Sequence, residues 1–138
     1  MTEAVPGIVL DTNIVLDLLV FRDPLTVPLR AALDAGQLRW IATPAMRDEL
    51  ERVLAYPQIA KRLAFYGLEP AAVLAARDAM AHTVEAAFKA PITCKDPDDQ
   101  RFIDLAVAYR CLVLSKDYAV LSMAKRLQAL GAAARVAL

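Results

Sequence analysis

Four acidic residues, spread widely along the chain, are the side chains best suited to chemistry in this sequence. They are Asp11, Glu49, Asp99 and Asp117. The chain contains one histidine and two cysteines, and it has no glycine-rich loop that could cradle a phosphate. Carboxylate oxygens are the ligands that hard divalent cations such as Mg²⁺ and Mn²⁺ prefer. If folding brings these acids together, we expect them to form a site for one of these ions.

Four carboxylates in one place are unfavourable unless a cation joins them. Two unit charges about 4 Å apart repel by about 4 kcal/mol when the effective dielectric constant is near 20. A divalent ion offsets this repulsion, lowers the pKa of a bound water and neutralises charge in the transition state of an in-line displacement at phosphorus. The chemistry that this pattern favours is phosphodiester hydrolysis, which needs no histidine.

The composition predicts a single soluble domain over residues 1–138, because a chain of 138 residues can bury an independent core. Every stretch long enough to span a membrane contains a charge, so we expect a cytoplasmic protein without a membrane partner. Sixteen basic and sixteen acidic residues cancel, which leaves nucleic-acid binding to a local basic groove. Cys94 and Cys111 are too far apart to indicate a zinc site and are expected to be buried thiols.

Short apolar runs alternate with longer helical patterns along the chain. The runs predict strands at residues 5–10, 38–42, 112–115 and 135–138, and the helical patterns cover residues 13–21, 25–35, 44–55, 57–66, 70–88, 97–110 and 118–130. This alternation predicts an α/β fold, a three-layer α/β/α sandwich with a central, mainly parallel sheet of four to five strands. The helices of residues 57–88, which include His82, interrupt the alternation and are expected to form a helical arm or cap.

Two of the four acids follow predicted strands. Asp11 ends the first strand, and Asp117 comes two residues after the strand that closes with Ser115. In an open parallel sheet, ligands bind beyond the carboxyl ends of the strands. We therefore expect Asp11 and Asp117 to lie at the same edge of the sheet.

The other two acids lie on predicted helices, each beside the apolar face. Glu49 borders the apolar stripe of its helix, whereas Asp48 points away from that stripe. Asp99 lies beside the predicted buried face of a later helix, and Asp104 lies opposite that face. The residues predicted to form this buried face are Phe102, Leu105, Ala106 and Tyr109.

Some of these acids could instead have a purely structural role, because aspartate is a favoured helix cap. Asp11 and Asp117 both stand where a helix begins, so a capping role remains open for each. Asp96 is expected to cap the helix that follows it. Asp98 and Asp99 then fall in the first turn of that helix; we assign Asp99 to the site, with Asp98 as the alternative.

Four segments of the sequence, taken in order, resemble the PIN domain. They are IVLDTNIVLDLL, TPAMRDELERVL, DPDDQRFIDLAVA and LVLSKDYAVL. The resemblance is nearest to the VapC-like ribonucleases, which are the toxins of toxin–antitoxin modules. It implies a parallel sheet between helices, RNA cleavage that depends on Mg²⁺ or Mn²⁺, and a small antitoxin protein as an inhibitory partner.

The resemblance also implies roles for individual residues. It carries the metal-binding acids of the family onto Asp11, Glu49, Asp99 and Asp117. It further implies supporting roles for Asn13 and Ser115, whose polar side chains could orient these carboxylates.

Three positions depart from the family pattern. Lys116 replaces a glycine of the last motif, and Ala119 replaces its second aspartate, so that Asp117 is the only acid there. Lys116 could compete with the metal electrostatically or could hold a phosphate. Asp17 stands where these relatives often have serine, and we hypothesise that it adds a carboxylate to the rim of the site.

Three classes of function fit these observations. The leading one is a metal-dependent endoribonuclease that serves as a toxin. A haloacid-dehalogenase-like phosphatase also has an aspartate after its first strand, but it requires a second aspartate where this chain has Asn13. The third class is a non-catalytic binding module with the same fold, for which Lys116 and Ala119 are the motivating observations. The alanine-rich helices add the expectation of a homodimer.

Overall fold

The computed structural model of the protein describes residues 5–138 and contains one sheet of five strands. The strands are β1 (Gly7–Leu10), β2 (Arg39–Ala42), β3 (His82–Thr83), β4 (Leu112–Leu114) and β5 (Ala133–Arg135). Their order across the sheet is β3-β2-β1-β4-β5, and all neighbouring strands are parallel. The predicted α/β fold with a parallel central sheet is therefore confirmed.

Helical segments connect the strands. They are α1 (Thr12–Leu16), a π-helical turn (Asp17–Phe21), a 3₁₀ turn (Pro24–Thr26), α2 (Val27–Asp34), α3 (Pro44–Leu54), α4 (Pro57–Tyr66), α5 (Pro70–Met80), a second 3₁₀ turn (Pro97–Asp99), α6 (Gln100–Tyr109), α7 (Tyr118–Leu121) and α8 (Ala124–Ala129). Proline begins α3, α4 and α5, at a position where a helix does not use the backbone N–H. Within residues 5–138, none of these helices has the length and apolar character needed to cross a bilayer.

The core divides into two apolar clusters, one on each face of the sheet. Alternate residues of a strand point to opposite faces, so Ile8 and Leu10 pack in the first cluster while Val9 packs in the second. Helices α1 to α5 supply most of the first cluster. The second cluster contains residues of α6, α7 and α8 together with strand and loop residues. Cys94 and Cys111 are free, buried thiols of the second cluster, as expected. Because helices cover both faces, the three-layer sandwich is also confirmed.

Helices α4 and α5 extend the first apolar cluster, and α5 also packs against α3 and the π-helical turn. The buried residues that they contribute are Leu63, Val73 and Leu74. An ion-pair network joins α3 to α5, in which Arg47 donates two hydrogen bonds to Asp78 at 2.9 and 3.0 Å. The buried Arg77 donates a third hydrogen bond to Asp78 at 3.0 Å. The guanidinium of Arg47, followed by that of Arg77, holds the pKa of Asp78 below its usual value.

The helix predicted for residues 70–88 is wrong beyond Met80. His82 and Thr83 form β3 instead, and they pair in parallel with β2. His82 is therefore an exposed strand residue and does not lie on a helix. The physical reason is visible at Val84, whose backbone N–H donates to the carbonyl oxygen of Ala42 at 2.9 Å. The chain after α5 thus satisfies its backbone through the sheet.

Three smaller predictions are also wrong. The helix predicted for residues 118–130 is divided into α7 and α8, and between them Ser122 Oγ donates a hydrogen bond to the carbonyl of Ala119 at 3.1 Å. The last strand lies at residues 133–135 instead of 135–138, because Gly131 turns the chain after α8 in the left-handed conformation, with φ of 81°. Tyr109, the last residue of α6, is 49% exposed and does not belong to the buried face.

The early end of α5 predicts a specific pattern of amide hydrogen exchange. We expect the amide of Val84 to exchange slowly, because it donates to Ala42, and the amides of residues 85–88 to exchange rapidly. Two-dimensional NMR after dilution into D₂O measures these rates residue by residue. Uniform protection from Met80 through Phe88 would instead indicate that the helix continues.

Candidate metal centre

Asp11 is buried immediately beyond β1, at the point where α1 begins. The register pairs Leu10 with Leu114, so the next residues of the two strands, Asp11 and Ser115, lie side by side. Ser115 Oγ donates a hydrogen bond to Asp11 Oδ2 at 2.6 Å. The Asp11 side chain makes no capping hydrogen bond to α1, so its carboxylate is directed to the sheet edge instead.

Asp117 has a capping role and also faces the same edge. Its Oδ1 accepts a hydrogen bond from the backbone N–H of Ala119 at 2.9 Å, which caps α7. Its own backbone N–H donates to Ser115 Oγ at 2.9 Å. The Ser115 hydroxyl thus links the carboxylate that follows β1 to the backbone that follows β4.

Asp99 reaches the site from the start of α6, the helix that packs in the second apolar cluster. It ends the 3₁₀ turn that precedes α6, and it is only 7% exposed. Its Oδ2 is buried without a hydrogen-bond partner in the described part of the chain. Asp96 caps this turn by accepting a hydrogen bond from the backbone N–H of Asp98 at 3.0 Å, as expected. Asp98 itself is exposed and lies outside the acidic cluster.

The structure brings Asp11, Asp99 and Asp117 together. Each offers a carboxylate oxygen, and these oxygens all lie within 4.8 Å of one another. Burial raises the pKa of Asp99 to about 8, and the neighbouring carboxyl groups of Asp117 and Asp11 add to the increase. Burial also raises the pKa of Asp11 against the opposing effect of the Ser115 hydrogen bond. The pocket therefore resists the accumulation of negative charge unless a cation or a proton is present.

Glu49 lies beside this cluster and is not one of its three members. It is half-buried on α3, and its Oε2 accepts a short hydrogen bond from Thr12 Oγ1. Its negative charge contributes to the raised pKa of Asp11. Thr12 was missed by the sequence analysis, although a hydroxyl directly after Asp11 was the available signal. Thr12 restrains Glu49 near the cluster.

The other two residues predicted to support the site, Asn13 and Asp17, both contact Lys116. Asn13 Oδ1 accepts a hydrogen bond from the backbone N–H of Lys116 at 3.4 Å, so it contacts the β4–α7 loop and no carboxylate. Asp17 is buried, and its Oδ2 lies 2.7 Å from Lys116 Nζ. Asp17 is thus engaged in an ion pair and is not one of the clustered acids.

A hard divalent cation fits the residues that are present. The ligand oxygens come from three carboxylates, and one buried oxygen of Asp99 lacks a hydrogen-bond donor within residues 5–138. Mg²⁺ and Mn²⁺ accept such oxygen ligands and retain water molecules in the remaining positions. Asp11, Asp99 and Asp117 would hold the ion, and Glu49 stands close enough to raise the negative potential around it.

The raised pKa of Asp99 predicts that the metal-free protein becomes less stable as the pH rises. The folded protein keeps a proton on Asp99 up to about pH 8, whereas the unfolded chain loses it near the ordinary pKa of 3.8. The stability linked to this proton is fully present below pH 3.8 and is lost as the pH rises through 8. In a chelator, we expect a higher Tm at pH 5 than at pH 8, and a smaller difference for Asp99→Asn.

Asp98→Asn is the matched control for this experiment, because Asp98 is the exposed neighbour of Asp99. It should keep the pH dependence of the unmodified protein. If Asp99→Asn and Asp98→Asn showed the same change in Tm between pH 5 and pH 8, the charge on Asp99 would not be the cause.

The position of Glu49 predicts a hierarchy of metal affinities. We expect Asp99→Asn to weaken Mn²⁺ binding by more than roughly tenfold, because it removes one of three converging ligands. Glu49→Gln should weaken binding less, because Glu49 lies outside the three-acid cluster. Isothermal titration calorimetry at fixed pH measures both affinities. A loss for Glu49→Gln equal to that for Asp99→Asn would show that Glu49 is itself a direct ligand.

The comparison with known families agrees with this geometry. The model of the PIN domain family matches residues 7–119, which is most of the chain and includes all three clustered acids and Glu49. Searches of curated proteins and of solved structures find no match. The family match covers well over half of the sequence, and the chain therefore belongs to the PIN domain family.

Proposed function

We propose that this protein is a metal-dependent endoribonuclease that hydrolyses phosphodiester bonds of RNA. The observation that carries the proposal is the convergence of Asp11, Asp99 and Asp117 beyond the carboxyl ends of β1 and β4. PIN domains are generally nucleases, and this cluster lies where an open parallel sheet binds its ligands. We also propose RNA as the substrate and Mg²⁺ or Mn²⁺ as the cofactor.

The chain's own residues prepare the site for hydrolysis. Ser115 Oγ donates a hydrogen bond to Asp11 Oδ2 and so fixes the position of one carboxylate oxygen. Ala119 fixes the rotation of Asp117 through a backbone N–H. Near neutral pH, Asp99 holds a proton in the metal-free protein, and it would have to release this proton to act as a ligand of a cation. A bound divalent ion supplies charge stabilisation at the phosphate and increases the acidity of a nearby water.

The bonds that change follow from in-line hydrolysis. A water oxygen forms a bond to phosphorus, and the bond between phosphorus and the leaving ribose oxygen breaks. The water loses a proton and the leaving oxygen gains one. Burial of Asp11 and Asp99 excludes bulk water around these groups, so their charges act more strongly than they would on an open surface.

Basic residues at the rim are the proposed contacts for the RNA backbone. Arg101 lies two residues after Asp99 in the sequence. Its Nη1 donates a hydrogen bond of 3.4 Å to the carbonyl oxygen of Ala45, near the start of α3. Its guanidinium therefore lies between α6, which begins directly after Asp99, and α3, which carries Glu49. Arg101 has no ion-pair partner among residues 5–138, which leaves its charge for a phosphate. Such a local cation suits a chain whose net charge is zero.

The biological role that we propose is that of a cytoplasmic toxin neutralised by a small antitoxin protein. Its support is the similarity of the four motif segments to VapC-like ribonucleases, and the homodimer belongs to the same proposal. Growth arrest on expression that is relieved by Asp11→Asn would support the toxin role.

A non-catalytic PIN-fold binding module is the second candidate. The observations that favour it are Lys116 and Ala119, which leave a single acid in the last motif. Such a module would bind RNA or protein without metal-dependent cleavage. The haloacid-dehalogenase-like phosphatase is less well supported, because Asn13 contacts the backbone of Lys116 and cannot supply the second carboxylate.

Cleavage of an end-labelled, structured RNA tests the proposed function. We expect products with Mn²⁺ or Mg²⁺ and none with a chelator. Asp11→Asn and Asp99→Asn should each lower the rate by about 100-fold or more, because a loss of several kcal/mol of charge stabilisation has this effect. Gel electrophoresis of the time course gives the rates.

Asp98→Asn is the control, since Asp98 is an exposed acid beside the cluster and outside it. This variant should cleave RNA at nearly the unmodified rate. Mn²⁺ binding without cleavage of any of several RNAs would favour the binding module, and cleavage that persisted in Asp11→Asn would exclude this site as its source.

A further inference from the structure

The loop between β4 and α7 carries an ion pair that the acidic cluster does not include. Lys116 Nζ lies 2.7 Å from Asp17 Oδ2, and the two residues are far apart in sequence. These are two of the three positions that depart from the family pattern. The structure thus joins two unrelated sequence departures in one contact.

Asp17 requires a partner because it is buried. Its side chain is only 7% exposed, in the π-helical turn that follows α1. A buried carboxylate without a partner loses its hydration and destabilises the fold. Lys116 supplies the opposite charge, and its own side chain remains 46% exposed. The lysine therefore reaches from the surface to a buried acid.

Lys116 also stands between two residues of the metal centre. Ser115, which precedes it, donates to Asp11 at 2.6 Å, and Asp117, which follows it, is one of the three clustered acids. The backbone N–H of Lys116 donates to Asn13 at 3.4 Å. The loop is consequently attached to the segment after β1 at three points, and the ion pair with Asp17 is the contact that restrains its exposed middle.

We propose that Lys116 and Asp17 form a positioning pair that fixes the β4–α7 loop and so holds Asp117 in the metal centre. The pair has a second effect, because it engages the ammonium group next to Asp117. A lysine without this partner would place a mobile positive charge beside the acids and would oppose metal binding. Asp17 is thus a positioning residue, and its carboxylate serves Lys116 instead of the metal.

The inference rests on the proposed metal centre, so its test uses metal affinity and a separate probe of the loop. The variants are Asp17→Asn, Lys116→Met, the double variant and Lys116→Arg. Isothermal titration calorimetry with Mn²⁺ alone gives the affinity. Amide exchange at Asp117, whose N–H donates to Ser115, reports the loop in the absence of metal.

We expect Asp17→Asn to weaken Mn²⁺ binding by roughly tenfold, because it both loosens the loop and frees the ammonium group of Lys116. Lys116→Met should weaken binding by less, because it loosens the loop but also removes that positive charge. The double variant should bind Mn²⁺ no more weakly than the single variant with the lower affinity, because both changes remove the same interaction. Lys116→Arg should retain most of the affinity, since it keeps a cation opposite Asp17. Lys125→Met changes an exposed lysine on α8 and should leave the affinity unchanged.

Unchanged affinity in both single variants, or losses that add in the double variant, would overturn the inference. If the unmodified protein failed to bind Mn²⁺, the proposed function would fall and the loop measurement would decide the inference alone. Faster exchange at Asp117 in both single variants, with protection retained in Lys116→Arg, would then support the positioning pair. Equal exchange in all variants would refute it, and circular dichroism checks that each variant is folded.

Discussion

Repulsion among three carboxylates is the constraint on which the candidate metal centre depends. Asp11, Asp99 and Asp117 converge within 4.8 Å, and no basic side chain within residues 5–138 forms a salt bridge with them. Lys116, which precedes Asp117 in the chain, is engaged in an ion pair with Asp17 instead. The cluster must therefore bind protons or a cation, and the raised pKa of Asp99 expresses the same constraint.

Side chains under such repulsion separate unless the backbone that carries them is rigid. In this fold the rigidity comes from the order of the strands, because the chain runs from β1 to β2 on one side and later returns to β4 on the other. The segments after β1 and β4 consequently lie side by side at the edge where parallel sheets bind ligands. The Ser115 hydroxyl joins them by donating to Asp11 and accepting from the backbone of Asp117. Apolar clusters on both faces prevent the strands from moving apart.

The parts of this arrangement that could be predicted are those with a local signal. The apolar runs of β1 and β4 are visible in the sequence, and the predicted buried face of the helix separates Asp99, beside that face, from Asp104, opposite it. The sequence left Asp98 as an alternative to Asp99, and only the structure shows that Asp98 is exposed. Strand β3 could not be predicted, because two residues carry no periodicity and their pairing with β2 depends on the backbone. The contact of Thr12 with Glu49 and that of Lys116 with Asp17 were equally hidden, since each joins residues that are distant in sequence.

The absence of a second acid in the last motif changes how Asp117 can act. Ala119 offers no carboxylate, but its backbone N–H donates to Asp117 Oδ1 and fixes the orientation of that side chain. Fewer negative charges also mean less repulsion to overcome when the cluster forms. Because Asp117 is already held by a hydrogen bond, it would lose little side-chain entropy on binding a cation. Two mobile acids would lose more. On this reasoning, the fixed orientation of Asp117 compensates in part for the missing second acid in the fit of the cluster to a divalent cation.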